Sequence, residues 1–314
     1  MKKKLKIIVF NICLILVTIL IIEIICFISD YKENIYGPRH RENPIDVRFP
    51  ENYLKTYTFD ESPYDLREPS GLEYKSEPVI IFGCSFAYGD RLDHHQTFSH
   101  KLANIIKAPV YNRASCAWGL QHMLHQIRTK DIFNIVKQKP KHIIYIFINN
   151  HIYRMYRHTN QFPFNNMLYL HYKFDGNDFK KHNPTFPFLE RTSIIGKIHH
   201  YEANRKTYEE KYFNKNFDLL KLYFIKSREE LEKQYGKINF TIIKYNFEDD
   251  EQSKYLETVR WNELKEIGFN VIDTKDLVGR KLNRREDKAD DNFHPSEEVW
   301  NILTPKIAEE LKLF

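Results

Sequence analysis

A serine that closes a short apolar run and a histidine close to the end of the chain are the residues from which most follows. Val79-Ile80-Ile81-Phe82 opens directly into Gly83-Cys84-Ser85-Phe86-Ala87-Tyr88-Gly89, and Asp291-Asn292-Phe293-His294 stands just ahead of a final amphipathic stretch. A serine hydroxyl is a weak nucleophile and needs a base within hydrogen-bond reach. His294 is the natural base. Asp291, one turn earlier, is placed to hold the imidazole in one tautomer and to stabilise the imidazolium that forms. As an acyl oxygen gains charge it needs donors aimed at it. The Ser85 N–H, a backbone N–H from the turn between Asn112 and Gly119, and the Asn149 amide are candidates. In this order the residues point to acyl transfer through serine.

Taken singly, each feature has a plain structural explanation. A strand followed by Gly-Cys-Ser-Phe occurs in any α/β protein, and Asp-x-x-His before a helix can be a capped turn. Asn149-Asn150 is a turn or cap signal, and Asn112 to Gly119 is an acceptable βα loop. What raises them above coincidence is the set of elements that carry them. Val79–Phe82, Val110–Asn112, His142–Ile148, Ile238–Tyr245 and Phe269–Ile272 read as short, continuous apolar strands. Helical spacing appears between them over Thr97–Ile106, Leu120–Val136, Lys206–Tyr235, Ser253–Ile267 and Ser296–Leu313. Such alternation predicts a three-layer α/β/α sandwich with a mainly parallel central sheet. Ligands in such sheets bind outside the carboxyl ends of the strands. Ser85, the segment after Asn112, and Asn149 all follow strands, so all three fall on that edge.

The rest of the chain divides around this domain. Lys2, Lys3, Lys4 and Lys6 precede an apolar run from Ile7 to Ile28. As a helix that run is roughly 33 Å long, about the thickness of a bilayer's hydrocarbon core. No A-x-A-like cleavage site follows, so residues 7–28 are expected to be an uncleaved transmembrane anchor. Residues 1–6 would lie in the cytoplasm and the catalytic domain outside it, periplasmic or extracellular. Residues 29–76, with five prolines and no sustained period, read as a stalk and lead-in. Residues 77–314 form the domain, with 152–205 as an aromatic insertion or lid.

Composition excludes other classes. The net charge of +6 is interleaved along the 314 residues, without the basic block that marks nucleic-acid binding. The 14 histidines include His94-His95, His199-His200 and the pair His122 and His125, but no His-Glu-x-x-His or Cys-x-x-Cys accompanies them. No metal or cofactor is expected. Four cysteines are too few for a disulfide scaffold. Cys84 and Cys116 lie beside the candidate motifs, either as two thiols or, outside the cytoplasm, as a pair.

These blocks resemble those of the SGNH (GDSL-type) hydrolases, over roughly Pro78 to the C-terminus. Gly83 to Gly89 resembles the first block, with Cys84 where the family usually has Asp. Tyr64-Asp65-Leu66-Arg67-Glu68 is similar to a Gly-x-Arg lead-in of anchored members. Asn112 to Gly119 resembles the second block, which puts Ala117 in the place of the oxyanion-hole glycine and Gly119 at the glycine two positions later. Ile148-Asn149-Asn150-His151 resembles the third, with Asn150 replacing Asp, or with a one-residue shift making Asn150 the donor. Asp291 to Pro295 matches the fourth completely. The resemblance implies Ser85 as nucleophile, His294 as base and Asp291 as its orienter. Ser85 N–H, Ala117 or Gly119 N–H and Asn149 would form the oxyanion hole.

The expected activity is that of a membrane-anchored serine esterase acting on a small acyl ester, such as an O-acetyl group on an envelope or exported polysaccharide. Tyr153, Tyr156, Phe162, Phe164, Tyr169 and Tyr172 are candidates for a sugar-stacking surface or, more simply, lid core. A lipid-directed esterase or lysophospholipase, an acyltransferase, and a degenerate glycan-binding envelope subunit are the alternatives.

Overall fold

A computed structural model describes residues 2–36, 66–116, 118–129, 131–156, 172–181, 213–245 and 260–313. Five strands form the central sheet: β1 (Val79–Phe82), β2 (Val110–Asn112), β3 (His142–Phe147), β6 (Phe240–Lys244) and β7 (Asn270–Asp273). Their order is β2-β1-β3-β6-β7. Every pairing is parallel. The chain therefore winds outward from β1 in one direction and from β3 in the other, and the crevice at this reversal is where ligands bind in such sheets.

Alternation along the strands explains both covered faces. Ile80, Phe82, Ile143, Tyr145, Phe147 and Ile242 point into one core, against α4 (Leu120–Arg128), α7 (Phe213–Tyr235) and α8 (Trp261–Glu266). Val79, Ile81, Ile144, Ile146 and Ile243 point into the other, against α3 (Phe98–Ile106) and α10 (Glu297–Glu310). Phe98 and Trp300 meet there with ring centroids 5.0 Å apart. Each such fully buried side chain contributes about 1.5–3 kcal/mol of transfer free energy. The result is the expected three-layer arrangement around a parallel sheet.

Several boundaries differ from the sequence expectation. The helix expected over Leu120–Val136 is two, α4 and α5 (Asp131–Ile135). Thr129 ends the first: its Oγ1 turns back onto the His125 carbonyl at 2.9 Å, competing with the backbone ladder. Of the long charged helix, Phe213–Tyr235 is described, and of the one expected from Ser253, Trp261–Glu266; 206–212 and 253–259 lie outside the described residues. Within 152–205 the structure adds a hairpin, β4 (Tyr172–Phe174) and β5 (Phe179–Lys181). Asp175 makes its turn by accepting from Asn177 N–H and Asp178 N–H at 3.1 and 3.0 Å. The hairpin belongs to the core. Phe179 stacks on Tyr223 with centroids 3.9 Å apart, and Tyr172 hydroxyl meets His125 Nδ1 at 2.8 Å. Tyr172 is thus core. Phe162, Phe164 and Tyr169 lie outside the described residues, as do the side chains of Tyr153 and Tyr156.

At the N-terminus a single helix, α1, runs Lys2–Tyr36. From Ile7 to Ile22 its large apolar side chains are 45–66% exposed. Among the described residues no helix is long and apolar enough to cross a membrane, so the anchor expected over 7–28 is not shown. After residues 37–65, the lead-in docks on the sheet edge, where Ser70 pairs antiparallel with Val110.

His142, at the start of β3, is buried, with Nε2 2.7 Å from Thr241 Oγ1. Burial, reinforced by the Lys141 charge, lowers its pKa to about 4. Unfolded, an imidazole titrates near pH 6.5, so between about 6.5 and 4 the unfolded chain takes up a proton that the folded chain refuses. Stability conferred by the neutral form is complete above that window and falls as pH drops through it, by up to about 3 kcal/mol. Urea midpoints measured across this range should decline more steeply for the natural chain than for His142→Gln, which cannot titrate; equal slopes would contradict the assignment.

Candidate active site

The serine turn is built where β1 ends. Gly83 has φ +151°, and a Cβ there would lie 2.7 Å from Ala87 Cβ and 3.0 Å from the Ile146 carbonyl of β3. Only glycine lets the chain fold back this tightly. Cys84 then caps α2 (Ser85–Tyr88), and Gly89, in the left-handed region at φ +81°, closes it. Asn112, at the end of β2, steadies the turn: its Nδ2 donates to the Ala87 carbonyl at 2.7 Å and its Oδ1 accepts from Ala114 N–H at 3.2 Å. Asn112 is therefore a brace between the first and second blocks.

His294 arrives from the opposite end of the chain. Asn292, at φ +59°, turns the backbone so that Asp291 Oδ1 accepts from Phe293 N–H and His294 N–H, each at 3.0 Å. Ala289 N–H donates to the His294 carbonyl at 2.7 Å, and the loop is fixed to α10 through its N-cap, Ser296. Within this frame His294 Nδ1 lies 2.5 Å from Asp291 Oδ2, and Nε2 lies 2.9 Å from Ser85 Oγ. The Asp291 contact fixes the neutral tautomer with the proton on Nδ1, leaving Nε2 to accept from the Ser85 hydroxyl. Burial pushes the Asp291 carboxyl up, but the bonds from the His294 ring and from the two backbone N–H groups outweigh it and hold it well below the ordinary carboxylate range. It is an anion under the imidazole. Ser85, Asp291 and His294, far apart in sequence, form one hydrogen-bonded chain.

The oxyanion donors are less uniform. Ser85 N–H, in the first turn of α2, has no intrahelical acceptor. Phe82 stands opposite Tyr145 in the β1–β3 register, so Ser85 and Asn149 leave the same edge of neighbouring strands. Asn149 is half-buried, and among the described residues its side chain makes no hydrogen bond. Asn150 begins α6 (Asn150–Tyr156). Ala117 lies outside the described residues. Gly119 N–H donates to His122 Nδ1 at 3.1 Å, so this donor already has an acceptor, and it leaves the set.

Three charged residues complete the site, and the sequence reading did not single out their roles. Asp90 Oδ2 lies 3.5 Å from His294 Nε2, and Arg91 Nε lies 3.6 Å from Asp291 Oδ2. The turn that carries them is fastened by Arg67, whose Nε donates to the Tyr88 carbonyl at 3.0 Å and whose Nη2 donates to those of Gly89 and Leu92, each at 2.7 Å. Behind the site, buried Arg154 on α6 donates to the Trp118 carbonyl at 2.6 Å, while Gln121 Nε2 donates to the Arg154 carbonyl at 3.1 Å. These bonds latch the segment after Asn149 to the loop of the second block. The available sequence signal was a charged pair, Asp90-Arg91, directly after Gly89, which by itself reads as a solvated loop.

Cys84 and Cys116 are free thiols. Burial, and after it the Asp90 charge, pushes the Cys116 thiol far up, so it stays protonated and unreactive. Three of the histidines considered as metal ligands have other partners: His94 Nε2 meets Ser70 Oγ at 3.1 Å, His122 meets Gly119 N–H, and His125 meets Tyr172. His199 and His200 lie outside the described residues.

The closeness of Gly83 to β3 is testable. Gly83→Ala must displace Ala87 or the Ile146 carbonyl, and should lower stability by about 1–3 kcal/mol, read as a lower urea midpoint. A midpoint equal to that of the natural chain would show the turn to be looser than described.

No protein-family model and no curated protein matches the chain. Among solved structures it is similar to TesA, at 10% identity and a TM-score of 0.47, covering 76% of this chain and 100% of that one. A member of the lipolytic G-D-S-L family from Veillonella parvula is similar at 15% identity and a TM-score of 0.43, covering 74% of this chain and 97% of that one. A catalytic mutant of an acetylxylan esterase from Geobacillus stearothermophilus is similar at 14% identity and a TM-score of 0.41, over 76% and 95% of the two chains.

Proposed function

We propose that the chain is a serine ester hydrolase acting through Ser85, His294 and Asp291. The observation that carries this reading is the continuous contact from hydroxyl to imidazole to carboxylate, between residues 209 positions apart in sequence. In the first half-reaction Ser85 Oγ bonds to the acyl carbon as its proton passes to His294 Nε2. The carbonyl oxygen takes the negative charge and is met by Ser85 N–H and the Asn149 amide. Collapse breaks the ester C–O bond, and the Nε2 proton goes to the departing alcohol. Water then attacks the acyl-serine, giving its proton to Nε2; the acid is released and Ser85 regains the proton. Asp291 stays ionised throughout and stabilises the imidazolium.

The finer reading is an O-acetyl ester on an envelope or exported polysaccharide, with α1 as the membrane anchor. It rests on the lysines ahead of Ile7, on the exposed apolar surface of α1 up to Ile22, and on a domain joined to it by a long lead-in.

A fluorophosphonate probe tests the chemistry on the full chain. The natural protein should label at one serine, and Ser85→Ala should not label. His294→Ala and Asp291→Asn should lower kcat/KM on a short-chain acetyl ester by about a factor of 10³ to 10⁴, with KM little changed. Labelling that persists in Ser85→Ala, or a natural protein that is folded but unreactive, would overturn the assignment.

A further inference from the structure

Asp90 is not needed by a Ser–His–Asp relay, yet its carboxylate is held at the reacting nitrogen. Its Oδ1 accepts from Arg91 N–H at 3.0 Å, and its Oδ2, 3.5 Å from His294 Nε2, remains turned toward the cleft. The turn that presents it is costly to make. Arg91 sits at φ +69°, a conformation that disfavours any side chain, and Asp90 N–H and Gly89 N–H share the Ser85 carbonyl, each at 3.0 Å. Arg67 spends three hydrogen bonds on this one turn. Strain compensated in this way argues that the position of Asp90 matters.

The position itself indicates the role. For His294 to hand its proton to the departing alcohol, that oxygen must come within about 2.6–3.2 Å of Nε2. Asp90 Oδ2 is a neighbour of the same nitrogen, so it faces the alcohol part of the ester, beside the leaving oxygen. Its side chain is 28% exposed in the free protein and so still has water. A bound substrate removes that water. An alkyl alcohol would leave Oδ2 with no donor to replace that water, at a cost, whereas a hydroxyl on the carbon next to the ester oxygen would donate to it.

We propose that Asp90 is a specificity residue that accepts a hydrogen bond from a hydroxyl adjacent to the ester oxygen, so that the site selects esters of polyols over esters of plain alcohols. This rests on the serine hydrolase reading and narrows it to the alcohol half of the substrate. It also sets the site against lipid esters whose alcohol carries no neighbouring donor.

The experiment compares two acetyl esters of a methyl glycoside, one with the hydroxyl beside the ester free and one with that hydroxyl replaced by hydrogen. For the natural chain kcat/KM should favour the first by about 10- to 100-fold. In Asp90→Ala that ratio should fall to near one. Asp90→Asn, which keeps an acceptor for Arg91 N–H and so guards against loss of the turn, should lower it by a smaller factor. Fluorophosphonate labelling of Ser85 is followed in all three proteins. Absence of label in the natural chain would sink the hydrolase reading itself. Label retained with an unaltered ratio, or both esters slowed equally, would sink the role of Asp90 alone.

Discussion

The 2.9 Å hydrogen bond between the Ser85 hydroxyl and His294 ties the start of the sheet to the last loop before the final helix. For that contact to exist, β1 must lie inside the sheet, between β2 and β3, and its carboxyl end must open at the reversal of strand order. Gly83 must bring the chain against β3, and α10 must pack on the face holding Val79 and Ile81. The tautomer of the imidazole depends in turn on Asp291, whose other oxygen is occupied by its own loop. A single proton-transfer geometry is thus maintained by packing on one face of the sheet and by a short, self-capped loop.

The opposite face of the cleft is fixed differently. There the loop after β2 and the helix after β3 are joined by side chains that hydrogen-bond to backbone carbonyls, Arg154 to Trp118 and Gln121 to Arg154. Buried Arg154 has no carboxylate partner among the described residues, so the carbonyl it binds must compensate for part of its desolvation. Rigid donors are what charge stabilisation requires, since dipoles that must reorient during the reaction lose much of their effect.

Much of this was legible in the sequence because it depends on local pattern. Four-residue apolar strands cannot be amphipathic helices, and their alternation with helical periods fixes a covered parallel sheet. Ser85, the segment after Asn112 and Asn149 could be placed at one edge because each follows a short apolar strand. What was not legible depends on pairing at a distance. Gly119 looked like a free backbone donor until His122 was found accepting from it. Asp90 and Arg91 looked like loop charges, because nothing local says that His294 will stand beside them. The hairpin from Tyr172 was hidden in an irregular aromatic segment, since its strands are only three residues long and its burial comes from helices α4 and α7.

Arg67 lies ahead of the first strand, in the stretch that joins α1 to the domain, and it grips the carbonyls of the serine turn's far end. Ser70, beside it, is stitched to the sheet edge at Val110. The lead-in from Arg67 and the reactive turn are therefore hydrogen-bonded into one piece, and Arg67 meets the turn that bears Asp90 before the chain enters the sheet. Trimming the polypeptide at Val79 would leave every member of the Ser–His–Asp relay in place and still slacken the wall beside it.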